Sequence, residues 1–341
     1  MAPPLPLSAA RIRILLLCAA ILLLAVPTAV RLLRPPSFEA EIRAFLADEH
    51  IAGAVTAIGP IGGGPTVLAF GEAAPGRAMR PSDRFRLASL SKPVTAAAVL
   101  ALVHAGRIGL DAPVAEAGHG ITVRQLLEHS GGWDRAISGD PIADPSHVAA
   151  LGISGRYDCA DLADRLPAAQ FRPGSRYAYS NLGYCRLGQM IARLSGVSYE
   201  TYVEQVVLRP RGAHLVFNGA PTVRHPSDWP SVAYAALGPG GGWTGSAADY
   251  WRFATGPIDP HVSDRPAYAV AGKDYYGLGW HVWPDGSLTH FGAISGVYSV
   301  VVRADGQVAV LLFNGRPRND EAAFARLRRA LARWSPRPVD R

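Results

Sequence analysis

Residues 277–313 read GLGWHVWPDGSLTHFGAISGVYSVVVRADGQVAVLLF, four apolar runs punctuated by turn residues. Positions 277–283, 287–291, 296–303 and 308–313 each have the length and β-branched or aromatic content of a strand. Pro284-Asp285-Gly286 and Asp305-Gly306 between them are hairpin turns. The other end of the chain is similar in kind. Residues 37–50 carry Phe38, Ile42, Phe45 and Leu46 at helical spacing. Strand-like runs follow at 51–58 and 66–70, separated by Gly62-Gly63-Gly64-Pro65. From 94 to about 253 the pattern is instead helices and loops. One helix is predicted over 94–105, with Pro93 in its first turn and Gly106 as C-cap. A second covers 122–128, opened by a Thr122/Gln125 capping box, and a third covers 182–194, closed by Gly196. A last helix is expected over 320–334. Strands at both ends with helices between predict an α+β fold, an antiparallel sheet built from both termini with a helical region inserted. The organisation expected is an N-terminal segment and linker (1–36, ending at Pro35-Pro36), an α/β subdomain (37–93 and 268–341) and a helical subdomain (94–267). The active site would lie between the last two.

Composition removes several classes of protein. The 341 residues are 49% hydrophobic and 18% charged, with 36 glycines in no three-residue period, which excludes a disordered or collagen-like chain. A chain of this size hides about three quarters of its unfolded surface, so its core needs no metal or disulfide staple. The net charge of +7 is dispersed. Its densest cluster, Arg326, Arg328, Arg329 and Arg333, reads as the solvated face of the last helix, so no nucleic-acid partner is expected. Of the 34 basic residues only Lys92 and Lys273 are lysines. Arginine keeps its proton near neutral pH, whereas a desolvated lysine can lose it, so a spared lysine is a candidate for proton chemistry. Lys273, in Gly272-Lys273-Asp274, has no motif around it and reads as a surface loop.

Arg11 and Arg13 precede an uncharged, Leu- and Ala-rich run over 14–30, and Arg31 and Arg34 follow it. That length suits a signal anchor or the core of a cleaved signal peptide. Ala29 fits a cleavage position but Pro27 does not, and Leu17 is too large to precede a lipidated Cys18. The run is read as an uncleaved anchor that places the remaining residues in a periplasmic or extracellular space, or secretes them if it is cleaved. Outside it, Cys159 and Cys185 could form one disulfide or remain two buried thiols. There is no CxxC, HExxH or Cys/His cluster, so neither a protein-built metal site nor a cofactor is expected.

Three short motifs carry chemistry. Ser89-Leu90-Ser91-Lys92 precedes the first inserted helix, and near a helix start positions i and i+3 share a face, which lets the Ser89 hydroxyl meet the Lys92 amine. A serine nucleophile needs such a base. At its ordinary pKa lysine is neutral only about one time in 2,500 at pH 7, so the fold must depress that value. Tyr179-Ser180-Asn181 offers a phenol able to relay a proton and an amide able to hold a carbonyl or the lysine. His290-Phe291-Gly292-Ala293 places a glycine in a strand, where a substrate can approach the backbone closely. Taken singly, each also reads as something plainer: an N-cap with a surface lysine, an aromatic anchor with an Asn N-cap, a strand histidine beside a bulge.

In this order, however, the three resemble the S-x-x-K, Y-x-N and H-x-G motifs of the serine β-lactamase and penicillin-binding-protein superfamily. The chain is most similar to the class C-like branch of β-lactamase-related hydrolases and esterases. Leu126-Leu127-Glu128-His129-Ser130-Gly131-Gly132, Phe171-Arg172-Pro173-Gly174, Gly241 through Asp249 and Tyr276-Gly277-Leu278-Gly279-Trp280 extend the likeness across roughly residues 38–335. The resemblance implies that Ser89 is acylated and that Lys92 and Tyr179 manage its proton. It implies further that Asn181 orients substrate, that His290 and Gly292 shape the third wall, and that the N–H groups of Ser89 and Ala293 hold the oxyanion. Penicillin-binding relatives carry Lys where His290 stands, which favours small esters, amides or D-amino-acid peptides over β-lactams or D-Ala-D-Ala peptides. Trp133, Trp243 and Trp280 are candidates for an apolar pocket as well as for core. The alternative from another class is a catalytically idle cell-envelope binding or scaffold protein. A lipase-like fold is excluded by the lack of a G-x-S-x-G elbow.

Overall fold

A computed structural model describes residues 36–334 except positions 119, 145, 147, 149–150, 154, 156, 166–167 and 227–230. The expected anchor at 14–30 lies outside the described residues. Among the described residues no helix is long and apolar enough to cross a membrane.

The strands are β1 (Gly53–Pro60), β2 (Thr66–Ala74), β3 (Arg77–Ala78), β4 (Phe85–Arg86), β5 (Val216–Phe217), β6 (Trp243–Gly245), β7 (Tyr275–Tyr276), β8 (His281–Val282), β9 (Leu288–Ile294), β10 (Val297–Ala304) and β11 (Gln307–Phe313). Eight form one antiparallel sheet in the order β3-β2-β1-β11-β10-β9-β8-β7. The two ends of the chain meet at its centre, where β1 pairs β11 with Ala54 opposite Phe313 and Ile58 opposite Ala309. The architecture is α+β, as the sequence predicts.

The strand residues alternate between two cores because successive side chains point to opposite faces. Val308, Val310 and Leu312 of β11 join the core shared with the inserted helices, together with Val55 and Ala57 of β1. Ala309, Leu311 and Phe313 face the other way, with Ala54 and Ile58. Both faces are covered, so these strands read as continuous apolar runs rather than as alternation. The second face is closed by two terminal helices, Phe38–Asp48 and Asp320–Leu331, whose N-caps Ser37 and Asn319 accept from Ala40 and Ala322 N–H. Their buried residues, Phe38, Ile42, Phe45 and Leu46 against Ala323, Phe324, Leu327 and Ala330, recur at the three- and four-residue spacing of one helix face.

One predicted strand is corrected. Positions 277–283 do not form a single strand: β7 and β8 are two short strands, and residues 277–280 turn between them, with the Gly277 N–H donating to the Trp280 carbonyl at 2.8 Å. Gly279 has φ +83°, and a Cβ there would meet the Ala96 side chain of the Ser91–His104 helix. Leu278 and Trp280 bury themselves in the core beside that helix, so their alternation imitates a strand while serving a turn. Of the two cysteine alternatives, Cys159 and Cys185 form a disulfide, Cα–Cα 5.9 Å. Lys273 is exposed.

Candidate active site

The fold presents Ser89 on a braced turn. A single 3-10 turn, Ala88–Leu90, leads straight into the Ser91–His104 helix, which therefore begins before Pro93 and not after it. Ala88 sits at φ +46°, a left-handed conformation uncommon for a residue with a Cβ and of the kind held only where the surroundings dictate it. Those surroundings are visible: Leu87 N–H donates to the Trp243 carbonyl (2.9 Å), Ser299 Oγ–H to the Leu87 carbonyl (2.8 Å) and the Tyr250 hydroxyl to the Leu90 carbonyl (2.8 Å).

Lys92 has no exposed surface. Its Nζ lies 3.2 Å from Ser89 Oγ, 2.7 Å from Asn181 Oδ1 and 2.8 Å from the Gly240 carbonyl. Burial pushes the amine well below the ordinary lysine range. Asp140 opposes that shift and Arg135 assists it. A neutral amine has two N–H donors and one lone pair. Two carbonyl oxygens absorb the donors, which leaves the lone pair for the Ser89 hydroxyl. The Tyr179 hydroxyl, 2.6 Å from Ser89 Oγ on the other side, is held in its protonated form because burial raises its pKa far above that of a free phenol.

The Asn181–Ser195 helix positions the amide. Its N-cap is Ser180, whose Oγ accepts from Gly183 N–H, so Asn181 is free to turn inward. Asn181 Nδ2 donates to Asp140 Oδ2 at 2.7 Å, which fixes the amide with its oxygen toward Lys92. Burial raises the Asp140 carboxyl above its usual range, against the Asn181 hydrogen bond. His129, at φ +59°, accepts from Ser180 N–H through Nδ1 (3.2 Å) and packs its ring on Tyr179 with centroids 4.3 Å apart. Burial holds it neutral.

Strand β9 supplies the opposite wall. A Cβ on Gly292 would come within 2.8 Å of Ser89 N and 2.7 Å of the Leu87 carbonyl, so only glycine lets the strand backbone touch the nucleophile's turn. Ala293 follows it and lines the same cleft. His290 is buried, with Nε2 2.9 Å from the Tyr276 hydroxyl and Nδ1 facing the Phe291 carbonyl at 2.8 Å. Burial lowers its pKa to about 3. This wall therefore carries no charge at neutral pH.

A cleft of about 840 Å³ opens on Ser89. Ser89, Tyr179, Asn181, His290 and Ala293 line it, while Lys92 lies beneath the nucleophile and Gly292 behind it. None of Trp133, Trp243 and Trp280 lines it; among the described residues the cleft tryptophan is Trp283. Sequence reading missed Asp140, Gly240, His129, Tyr276 and Arg135 as site residues. The signals were the Gly238-Pro239-Gly240-Gly241-Gly242 run, which marks close backbone packing, the Glu128-His129-Ser130-Gly131-Gly132 segment and, for Tyr276, the Tyr276-Gly277-Leu278-Gly279-Trp280 segment.

Comparison with known proteins agrees with this geometry. The chain is 35% identical over 159 residues to "Esterase EstB" of Burkholderia gladioli, covering 40% of this chain and 39% of that one. It is 27% identical over 326 residues to "Penicillin-binding protein 4" of Amycolatopsis lactamdurans, covering 80% and 83%. A D-amino acid amidase structure from Ochrobactrum anthropi SV3 superposes with TM-score 0.70 at 21% identity, over 87% of this chain and 98% of that one. Three curated relatives at 30% identity are matched over 37%, 33% and 31% of their length, so the chain spans about a third of those proteins. The family described as Beta-lactamase matches residues 38–333, which contain the whole sheet and every residue of the site, and the chain belongs to the β-lactamase family.

Proposed function

We propose that the chain is a serine hydrolase that cleaves an ester, amide or peptide through an acyl-enzyme. The observation that carries this reading is the Ser89 hydroxyl held 2.6 Å from a protonated phenol and 3.2 Å from a buried amine depleted of charge. Lys92 Nζ takes the Ser89 proton as Oγ bonds to the substrate carbonyl carbon. The carbonyl oxygen becomes an oxyanion between the N–H groups of Ser89 and Ala293; one such donor contributes about 2.7–4 kcal/mol to transition-state stabilisation. As the intermediate collapses, the bond to the leaving group breaks. Tyr179 passes its hydroxyl proton to the departing oxygen or nitrogen and recovers one from the Lys92 ammonium. Water then repeats the sequence on the ester, with the carboxylic acid and free Ser89 as products. In this scheme Lys92 is the base and Tyr179 the relay, because the phenol retains its proton while the amine does not.

The uncharged β9 wall supports esters, amides and D-amino-acid derivatives as substrates over β-lactams, whose carboxylate would find no ammonium on that strand. Slow turnover of nitrocefin is expected. The buried Cys159–Cys185 disulfide, together with the 14–30 run, supports a periplasmic or extracellular location with that run as membrane anchor or signal. The site is read as lying between the α/β and helical subdomains.

The test is labelling with a fluorophosphonate followed by peptide mass spectrometry. An adduct on Ser89, absent in Ser89→Ala, is the expected result. An unlabelled wild type that still folds would return the chain to the idle binding or scaffold reading.

A further inference from the structure

Apart from the buried His290, three basic side chains line the cleft among the described residues, and two of them are already committed. Arg316 forms a two-point pair with Asp320 at 3.1 and 2.7 Å. His281 Nε2 lies 2.7 Å from Asp274. The third is Arg135, exposed at the mouth, with its guanidinium carbon 4.7 Å from the centre of the Tyr179 ring. Arg135 has no ion pair among the described residues. The adjacent carboxylates act on it through space only and take their direct partners elsewhere, Asp134 from Arg176 at 2.8 Å and Asp140 from Asn181 Nδ2 at 2.7 Å. An arginine that its neighbours leave unpaired, one aromatic ring away from the nucleophile, is a receptor without its ligand. Its planar fork suits a carboxylate through two parallel N–H···O bonds.

We propose, resting on the hydrolase reading above, that Arg135 binds a carboxylate of the substrate. The preferred substrates are then esters or amides that carry an anionic carboxylate a few bonds from the scissile carbonyl. That group is received on the wall formed by the helical region and not on β9.

The test compares two acyl esters of matched length, mono-p-nitrophenyl adipate and p-nitrophenyl hexanoate, after subtraction of spontaneous hydrolysis. The wild type is expected to favour the adipate ester in kcat/KM. In Arg135→Gln the adipate-to-hexanoate ratio falls by on the order of tenfold to a hundredfold, the range for losing hydrogen bonds to a charged group, and the loss appears mainly in KM. Arg135→Lys retains part of the ratio, and Arg135→Glu drops below Arg135→Gln. Added salt lowers the ratio in the wild type and not in Arg135→Gln. The same contrast is read without turnover by the slowing of Ser89 labelling with adipate monoanilide against hexananilide. A ratio or protection unchanged in Arg135→Gln overturns the proposal. So does an equal loss on both esters confined to kcat, which would mean that Arg135 acts only through Tyr179. Labelling of Ser89 is scored separately, so an intact label with no carboxylate preference rejects this assignment alone.

Discussion

Two clusters of polar groups in this molecule solve opposite problems. Around Lys92, a basic group is fully buried and meets only neutral acceptors, Ser89 Oγ, Asn181 Oδ1 and the Gly240 carbonyl. The nearby Asp140 contacts it only through Asn181. Between the two terminal helices, Arg326 stays partly in water and meets carboxylates directly, Glu41 at 2.6 Å and Asp48 at 2.8 Å. In the second cluster the charge is kept, because water reaches the pair and solvates it. In the first, an ion would be stranded in a medium that cannot solvate it, so the amine sheds its proton instead. The fold makes a base by denying a lysine its counter-ion.

That contrast breaks most sharply at Lys92 itself. Arginine cannot be deprotonated in a protein, so Lys92→Arg is expected to lower single-turnover acylation by about 10²–10⁴-fold, the usual worth of a positioned base. Lys92→Met should lose as much. A Lys92→Met protein that acylated at wild-type rate would transfer the role of base to Tyr179. Next in size is the close approach of β9. Gly292→Ala inserts a methyl against the backbone of Ser89 and Leu87, neither of which can rotate away. Displacement of the turn should lower kcat by about 10²–10³-fold through loss of an aligned oxyanion donor. A crystal structure of the variant with Ser89 unmoved and activity intact would refute that packing argument.

The comparison also extends to pH. His225, half-buried beside β4, accepts from Arg86 N–H (3.3 Å) and has Nδ1 2.9 Å from the Gly296 carbonyl; desolvation of the ring lowers its pKa to about 4. In the unfolded chain it titrates near the ordinary histidine value of about 6.5. Between those values the unfolded state binds the extra proton, so stability falls as pH drops from about 6.5 to about 4 and is insensitive to this group above that window. His225→Asn should flatten the slope of unfolding free energy against pH by up to about 1.4 kcal/mol per pH unit in that window. Denaturant titrations at pH 7, 6, 5 and 4 measure it, and an unchanged slope would show that His225 is not neutral in the fold.

How much of this was legible beforehand follows from where each signal resides. The runs at 296–303 and 308–313 declare strands because they are buried on both faces, and Ser89, Lys92, Tyr179 and Asn181 stand in short motifs. Asp140 lies on a loop, while Arg135 and Gly240 lie in four-residue helices too short to show a periodicity, and only the packing of the helical region brings them to the cleft. The turn at 277–280 was misread because Leu278 and Trp280 alternate with glycines for a reason that belongs to the neighbouring helix. The pairing of Cys159 with Cys185 could not be decided from spacing, since both alternatives bury two sulfurs. The arginines of the last helix read as a solvated face, which is compatible with Arg326 and Arg328, both partly exposed, also taking carboxylate partners, and with Arg328 lying 4.0 Å from the centre of the Trp283 ring.

The smallest effect is expected at Arg326, and it sharpens the contrast from the other side. Its side chain is 27% exposed, and Asp48 across from it is 57% exposed. Glu41 is better covered, and Arg333 approaches it at 3.7 Å, so it keeps a cation nearby if Arg326 is removed. Exposed pairs of this kind typically contribute about 0.2–1 kcal/mol. Arg326→Ala should therefore lower unfolding free energy by no more than about 1 kcal/mol and leave kcat unchanged, since the belt lies across the sheet from Ser89. Part of even that loss would come from the arginine stem, whose guanidinium sits 5.5 Å from the centre of the Phe45 ring. Arg326→Met, which keeps apolar bulk without charge, separates the two contributions. A loss in Arg326→Met of several kcal/mol would mean that the belt behaves as a buried ion pair, and burial depth would then not be what distinguishes it from the seam at Lys92.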